Sequence, residues 1–232
     1  MQMNSRLIVA LDFPSQITAL SAARQLNPAL CRVKVGKELF TRCGPAIIDE
    51  LHTLGFEVFL DLKFHDIPET VKKACRAAAD LGVWMINVHA LGGLRMMAAA
   101  KEGVDAVARP PILLAVTILT SMGEAELAEV GLPVPPLDMV LRLAKLAKSA
   151  GLGGVVCSGQ EASVVRDRVG ADFLRVTPGI RPASASVDDQ IRVMTPSQAL
   201  AAGANYLVIG RPISHAVDPA IALAAIVAEM NS

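Results

Sequence analysis

The stretch EVFLDLKFHDIPETVKKACRAAADLGVWMINV, residues 57–88, decides the fold. It opens on a short apolar run at 57–60. Beyond a polar segment, Val71, Ala74, Cys75, Ala78 and Leu81 recur at three- and four-residue steps, which predicts one buried face of a helix over 69–81. Pro68 suits the first turn of that helix and Gly82 its end. A second apolar run follows at 84–88. Neither run alternates apolar with polar, and strands apolar on both faces are those of a parallel sheet covered by helices.

Outward from this strand–helix–strand unit the same pattern repeats. Further runs lie at 7–11, 32–35, 112–118, 154–157, 173–176 and 206–209, which makes eight. Helical spacing marks 16–25, 94–102, 137–149, 161–168, 196–202 and 219–230. Eight strand–helix units in 232 residues, with no linker and no low-complexity tract, predict an α/β chain of one domain, a (β/α)8 TIM barrel. An open doubly wound sheet fits less well, because no GxGxxG follows the first run. Two connections are long. Residues 121–136 carry Gly123, Gly131, Pro133, Pro135 and Pro136 and leave room for a short helix at 124–129. Residues 179–196, with two serines and two aspartates, read as a mobile loop of the kind that closes over ligands.

Composition excludes several classes. Twenty-two basic residues balance twenty-two acidic ones, and one Trp, one Tyr and six Phe are the only aromatics. Nucleic acid is therefore not an expected partner, since there is neither a basic field nor a supply of stacking rings. No stretch without Asp, Glu, Lys or Arg is both long and apolar enough to cross a bilayer, which takes roughly eighteen apolar residues: 110–123 is too short, and 193–210 is interrupted by Pro196, Ser197, Gln198 and Asn205. No secretory leader is read before Asp12, and Cys31, Cys43, Cys75 and Cys157 form no CxxC. The expectation is a cytoplasmic protein with reduced thiols that pack in the core.

In a barrel of this kind chemistry sits at the carboxyl ends of the strands. Those ends carry Asp12, Lys34, Asp61 with Lys63, His89, Thr120, Ser158, Thr177, and Gly210 with Arg211. Singly they carry little: Asp12 reads equally as a cap near Ser15, and Ser158 and Thr177 read as structural. Asp61 and Lys63, two apart, project to the same side, into the mouth, while Leu62 faces the helices. With Asp66 and Lys34 they predict two lysines and two aspartates in a small volume, where alternating charges keep each other ionised and Lys63 serves as a proton donor. Packing alone does not explain four charges on neighbouring strands of an apolar barrel. His65 and His89 raise a metal reading with Asp61 and Asp66, but Lys34 and Lys63 occupy the place a cation would take, so no metal is expected. Gly179-Ile180-Arg181 and Gly210-Arg211 end the last two strands with a glycine for close approach and an arginine for charge-assisted contacts, which predicts a phosphate site.

Taken in order, these segments resemble the orotidine 5′-phosphate decarboxylase family of bacteria. The resemblance runs through Leu7-Ile8-Val9-Ala10-Leu11-Asp12, Val33-Lys34-Val35-Gly36, Asp61-x-Lys63-x-x-Asp66-Ile67-Pro68, Asn87-Val88-His89-Ala90 and Leu119-Thr120-Ser121. It continues through 176–182, Asp189-Gln190, 192–196 and 208–213. It implies loss of CO2 from orotidine 5′-phosphate to give UMP, the last step of de novo pyrimidine synthesis, without metal or organic cofactor. By the same resemblance Lys63 would protonate C6 with Asp61 beside the departing carboxylate. Lys34 would hold Asp61 and the ribose, and Asp12 would bind ribose hydroxyls. Family members are dimers with shared sites, so Asp66 and Ile67 would enter the partner's site, and Thr70 joins the implied substrate-binding set. Thr120 and Ser121 would contact the partner's ribose or the base. Gln190, Gly210 and Arg211 would take the phosphate, with Arg181 close by. Asp188, in a loop of variable composition, and Glu69, where Asn is common, depart from the pattern. Two other readings remain open. One is a related magnesium-dependent barrel acting on a sugar phosphate, which has the same Asp-x-Lys-x-x-Asp signature. The other is a catalytically silent binding protein, against which an intact Lys63 speaks.

Overall fold

The computed structural model describes residues 5–182 and 194–231. Eight parallel strands close into a barrel in sequence order. They are β1 (Leu7–Ala10), β2 (Arg32–Gly36), β3 (Val58–Phe64), β4 (Met85–His89), β5 (Ile112–Val116), β6 (Gly154–Val156), β7 (Leu174–Thr177) and β8 (Tyr206–Ile209). The helices are α1 (Gln16–Ala23), α2 (Lys37–Cys43), α3 (Ala46–Thr53), α4 (Pro68–Asp80), α5 (Gly93–Asp105), α6 (Glu124–Glu129), α7 (Pro136–Ser149), α8 (Gly159–Val169), α9 (Pro196–Ala201), α10 (Arg211–Ser214) and α11 (Pro219–Met230).

The expected barrel is thus observed, and the absence of alternation has a direct cause. Leu7, Val9, Val33, Val35, Val58 and Leu60 point outward into the layer shared with the helices. Ile8, Ala10, Phe59, Met85, Leu114 and Val208 point inward and fill the barrel. Both faces exclude water, so both are apolar. At the amino-terminal end of the barrel Arg32 is buried. Its guanidinium lies 4.2 Å from the Trp84 ring centroid, its Nε donates to Glu57 at 2.8 Å, and Trp84 meets Tyr206 edge-on. That end is stoppered.

Three differences from the sequence reading matter. First, α2 and α3 fill a connection where no helix was expected; Gly44, at φ 63, and Pro45 divide it into pieces too short to show a period. Second, β3 runs to Phe64 rather than ending at residue 60, and its pairing with β4 shifts between Leu60 and Phe64. Third, Arg211 opens the short α10, which the sequence did not suggest. The stems of the long connection after β7 are joined, Ile180 bridging Met194 and the Arg181 N–H donating to the Met194 carbonyl at 3.0 Å. The remainder of the expected mobile loop, Gln190 included, lies outside the described residues.

Candidate active site

The inward positions of β2, β3 and β4 turn polar at the carboxyl end. Lys34 follows Arg32, Asp61 follows Phe59, and Asn87 follows Met85, each two residues on and therefore on the same face. Lys34 Nζ lies 3.0 Å from Asp12 Oδ1 and 3.6 Å from Asp61 Oδ2. Lys63 Nζ lies 2.6 Å from Asp61 Oδ1. The result is a chain of alternating charge, Asp12, Lys34, Asp61, Lys63, running from β1 to β3. Gly36 leaves room for it, since a Cβ there would stand 3.2 Å from Lys34 Nζ.

Asp61 is the hub. Burial pushes its pKa up, but Lys34, Lys63 and hydrogen bonds from Lys63 and Asn87 outweigh burial and hold the carboxyl below the ordinary carboxylate value. The side chains of Lys34 and Asp61 are largely buried, whereas Lys63 is about a quarter exposed and opens toward the cavity. That cavity, about 190 Å³, has Lys34, Asp61 and Lys63 on one side and an apolar side that includes Ile118, Val156 and Pro178, with Thr120 at its edge. A group that enters meets a fixed ammonium against a wall with little other polarity, where charge interactions are strong.

His89 stacks on His65 with ring centroids 5.5 Å apart. Burial, then the charges of His65, Lys37 and Lys63, push the His89 pKa down to about 4, so its ring is neutral near pH 7. Its Nδ1 accepts from the Leu91 N–H at 3.4 Å. No group of three or more His, Cys, Asp or Glu converges as a metal-ligand set among the described residues.

Known proteins share these features of sequence and fold. The family model described as "Orotidine 5'-phosphate decarboxylase / HUMPS family" matches residues 5–226. The chain belongs to that family. Similar relatives include a protein of Nitrosococcus oceani named "Orotidine 5'-phosphate decarboxylase", 61% identical over 228 residues and covering 98% of each chain. Another of the same name, from Halorhodospira halophila, is 61% identical over 225 residues, 97% of this chain and 95% of that one. Among solved structures, the orotidine 5'-phosphate decarboxylase of Lactobacillus acidophilus superposes with a TM-score of 0.88 at 41% identity, over 98% of this chain and all of that one. At such identity over nearly full length, the chain sits among the decarboxylases of the family.

Other expected residues fall into place unevenly. Asp66 does not join the charge network of its own chain, which corrects the expectation of four converging groups. It is exposed, its Oδ1 accepts from the Ile67 N–H at 2.6 Å, and among the described residues it makes no ion pair with Lys63. The cause is the direction of the chain, which leaves β3 at Phe64 and turns outward into α4. Ile67, 66% exposed, and Thr70 stand on that same outward turn. Ser121 is exposed next to Thr120. Asp12 caps no helix, since Ser15 is the residue that accepts from Thr18 N. The two Gly-Arg ends are not equivalent. Arg211 is exposed at the start of α10, with Gly210 close to Ala10 and Asp12, whereas Arg181 is buried and its Nη1 donates to the Ile180 carbonyl.

Two features escaped the sequence reading. Asn87 is 1% exposed; its Nδ2 donates to Asp61 Oδ1 at 2.7 Å and its Oδ1 accepts from the Lys63 N–H at 2.8 Å. The signal was there, a lone amide inside the apolar run 84–88. The second is Lys63 itself, whose φ of 51 makes it the one non-glycine residue with positive φ among the described residues.

Proposed function

We propose that this chain decarboxylates orotidine 5′-phosphate to UMP, closing de novo pyrimidine synthesis, with Lys63 as the proton donor to C6 and with no metal or organic cofactor. The observation that carries the reading is the Lys63 ammonium, held 2.6 Å from an ionised Asp61 at the rim of a half-apolar cavity. When the bond between C6 and the carboxylate breaks, its electron pair stays on C6, a carbon without an electron sink. A fixed ammonium both stabilises that charge and ends it by giving up a proton. Asp61, kept ionised by Lys34 and Lys63, holds that ammonium in place by direct contact.

Asp12 and Lys34 are assigned to the ribose, and Gly210, Arg211 and Gln190 to the phosphate, with Arg181 packed nearby. Binding energy from the phosphate, remote from C6, is then available to position the base. We assign Asp66, Ile67 and Thr70 to the site of a partner subunit in a homodimer, with Thr120 and Ser121 reaching the base or the partner's ribose. The outward-facing Asp66 and the exposed Ile67, Leu91, Leu94 and Leu119, on the segments that follow β3, β4 and β5 up to the first turn of α5, support this. The cytoplasm is the proposed location, in line with four free cysteines, three of them buried.

Purified protein should consume orotidine 5′-phosphate, followed by its ultraviolet absorbance, at the same rate with and without EDTA. Lys63→Ala should lower turnover by several orders of magnitude with the fold intact. No turnover by the wild type would overturn the reading, and activity lost in EDTA would favour a magnesium-dependent sugar-phosphate reaction instead.

A further inference from the structure

We propose that Asn87 is a positioning residue for this reaction: its one side-chain amide takes the place of the backbone ladder where β3 departs from β4, and so fixes Lys63 and Asp61 relative to each other. This rests on the reading of Lys63 as the proton donor.

β3 and β4 are in register at Leu60 with Ile86 and again at Phe64 with Val88. Four steps of one strand therefore face two of the other. On the β4 side the surplus residues, Asp61 and Lys63 among them, have no register partner, although Asp61 still pairs with Gly36 of β2. Lys63 adopts the left-handed conformation that side-chain-bearing residues disfavour, and its N–H donates to a side chain. Asn87, between the two register points, supplies what is missing. Its Oδ1 accepts from the Lys63 N–H at 2.8 Å, and its Nδ2 donates at 2.7 Å to Asp61 Oδ1, the oxygen that also holds Lys63 Nζ at 2.6 Å. The backbone and the ammonium of Lys63 are thus tied to one fully buried amide and one carboxylate.

Only a planar group with a donor and an acceptor on a short stem performs both tasks. Aspartate would keep the acceptor but set a second carboxylate against Asp61. Alanine would keep neither, and serine is too short to span both partners. The charged groups facing Asp61 are Lys34 from β2 and Lys63 from its own strand.

The test is to measure kcat and KM for orotidine 5′-phosphate across pH for the wild type, Asn87→Ala, Asn87→Ser, Asn87→Asp and Lys63→Ala, with thermal unfolding recorded for each. Asn87→Ala and Asn87→Ser should lose about 100-fold or more in kcat, the scale of an ångström-sized misplacement, with KM changed less than about threefold. In Asn87→Asp the paired carboxylates should hold a proton that Asp61 alone does not, moving the acid limb of kcat upward by more than about one pH unit. A residue that served only the fold would lower the unfolding temperature and leave that limb in place. A wild-type acid limb in Asn87→Asp, or kcat within about threefold of wild type in the other two, would overturn the role of Asn87. Lys63→Ala retaining a tenth of wild-type turnover would instead overturn the assignment of the proton donor, so the two failures are separable.

Discussion

At the residue scale the site is governed by the competition at Asp61 between burial and two ammonium groups, which the ammonium groups win. The unfolded chain offers neither burial nor partners, so the folded carboxyl binds its proton less readily than the unfolded one. A lowered folded pKa contributes stability that is fully present above the ordinary aspartate value of about 3.9 and is lost as pH falls through the lowered value. Urea midpoints measured against pH should therefore drop on acidification below about pH 4. Asp61→Asn should flatten that part of the curve while lowering stability near neutrality, where Lys34 and Lys63 lose their shared counter-charge; an unchanged slope would remove Asp61 from the account. The phosphate assignment is testable in the same way. Arg211 is exposed at the first position of α10, so Arg211→Ala should weaken UMP binding far more than uridine binding in calorimetry. Equal losses for the two ligands would mean that Arg211 only supports α10.

At the element scale, helices and strands meet closely where glycine permits it. Gly103 on α5 is buried, and a Cβ there would overlap the carbonyl of Lys72 on α4. Gly103→Ala should lower stability by about 1–3 kcal/mol in urea unfolding, the usual cost of overpacking, and leave turnover per folded molecule unchanged. Elements of this kind were legible in the sequence wherever a period survived. The face of α4 could be read from Val71, Cys75 and Ala78, and the placing of Asp61 and Lys63 at the mouth came from the period of two. What could not be read depends on neighbours. The slip between β3 and β4 is a property of two strands together, and neither 57–60 nor 84–88 announces it. Asn87 read as one polar residue in an apolar run because its partners come from another strand. Arg181 and Arg211 share a local pattern, yet Arg181 is drawn into the core beside the Ile180–Met194 bridge, a contact between residues fourteen apart in sequence. The helices α2 and α3 were missed for a local reason, the break at Gly44-Pro45.

At the scale of the whole molecule the proposed homodimer, with Asp66 assigned to the partner's site, makes a testable claim about how two chains share their work. If Lys63→Ala and Asp66→Ala proteins, each nearly inactive, exchange subunits, every mixed dimer carries one doubly damaged site and one intact site. Random pairing of equal amounts makes half the dimers mixed, so activity should recover to roughly a quarter of wild type. No recovery, with exchange verified independently, would mean that sites are not shared. The stopper at the other end of the barrel bears on how each turnover ends. Arg32 seated on Trp84, with Tyr206 against it, and the filled interior above leave no route through the axis among the described residues. Traffic is therefore confined to one doorway. In the proposed reaction carbon dioxide and the nucleotide share that doorway, so the order in which the two depart is set by the closed end of the barrel as much as by the chemistry at the open one.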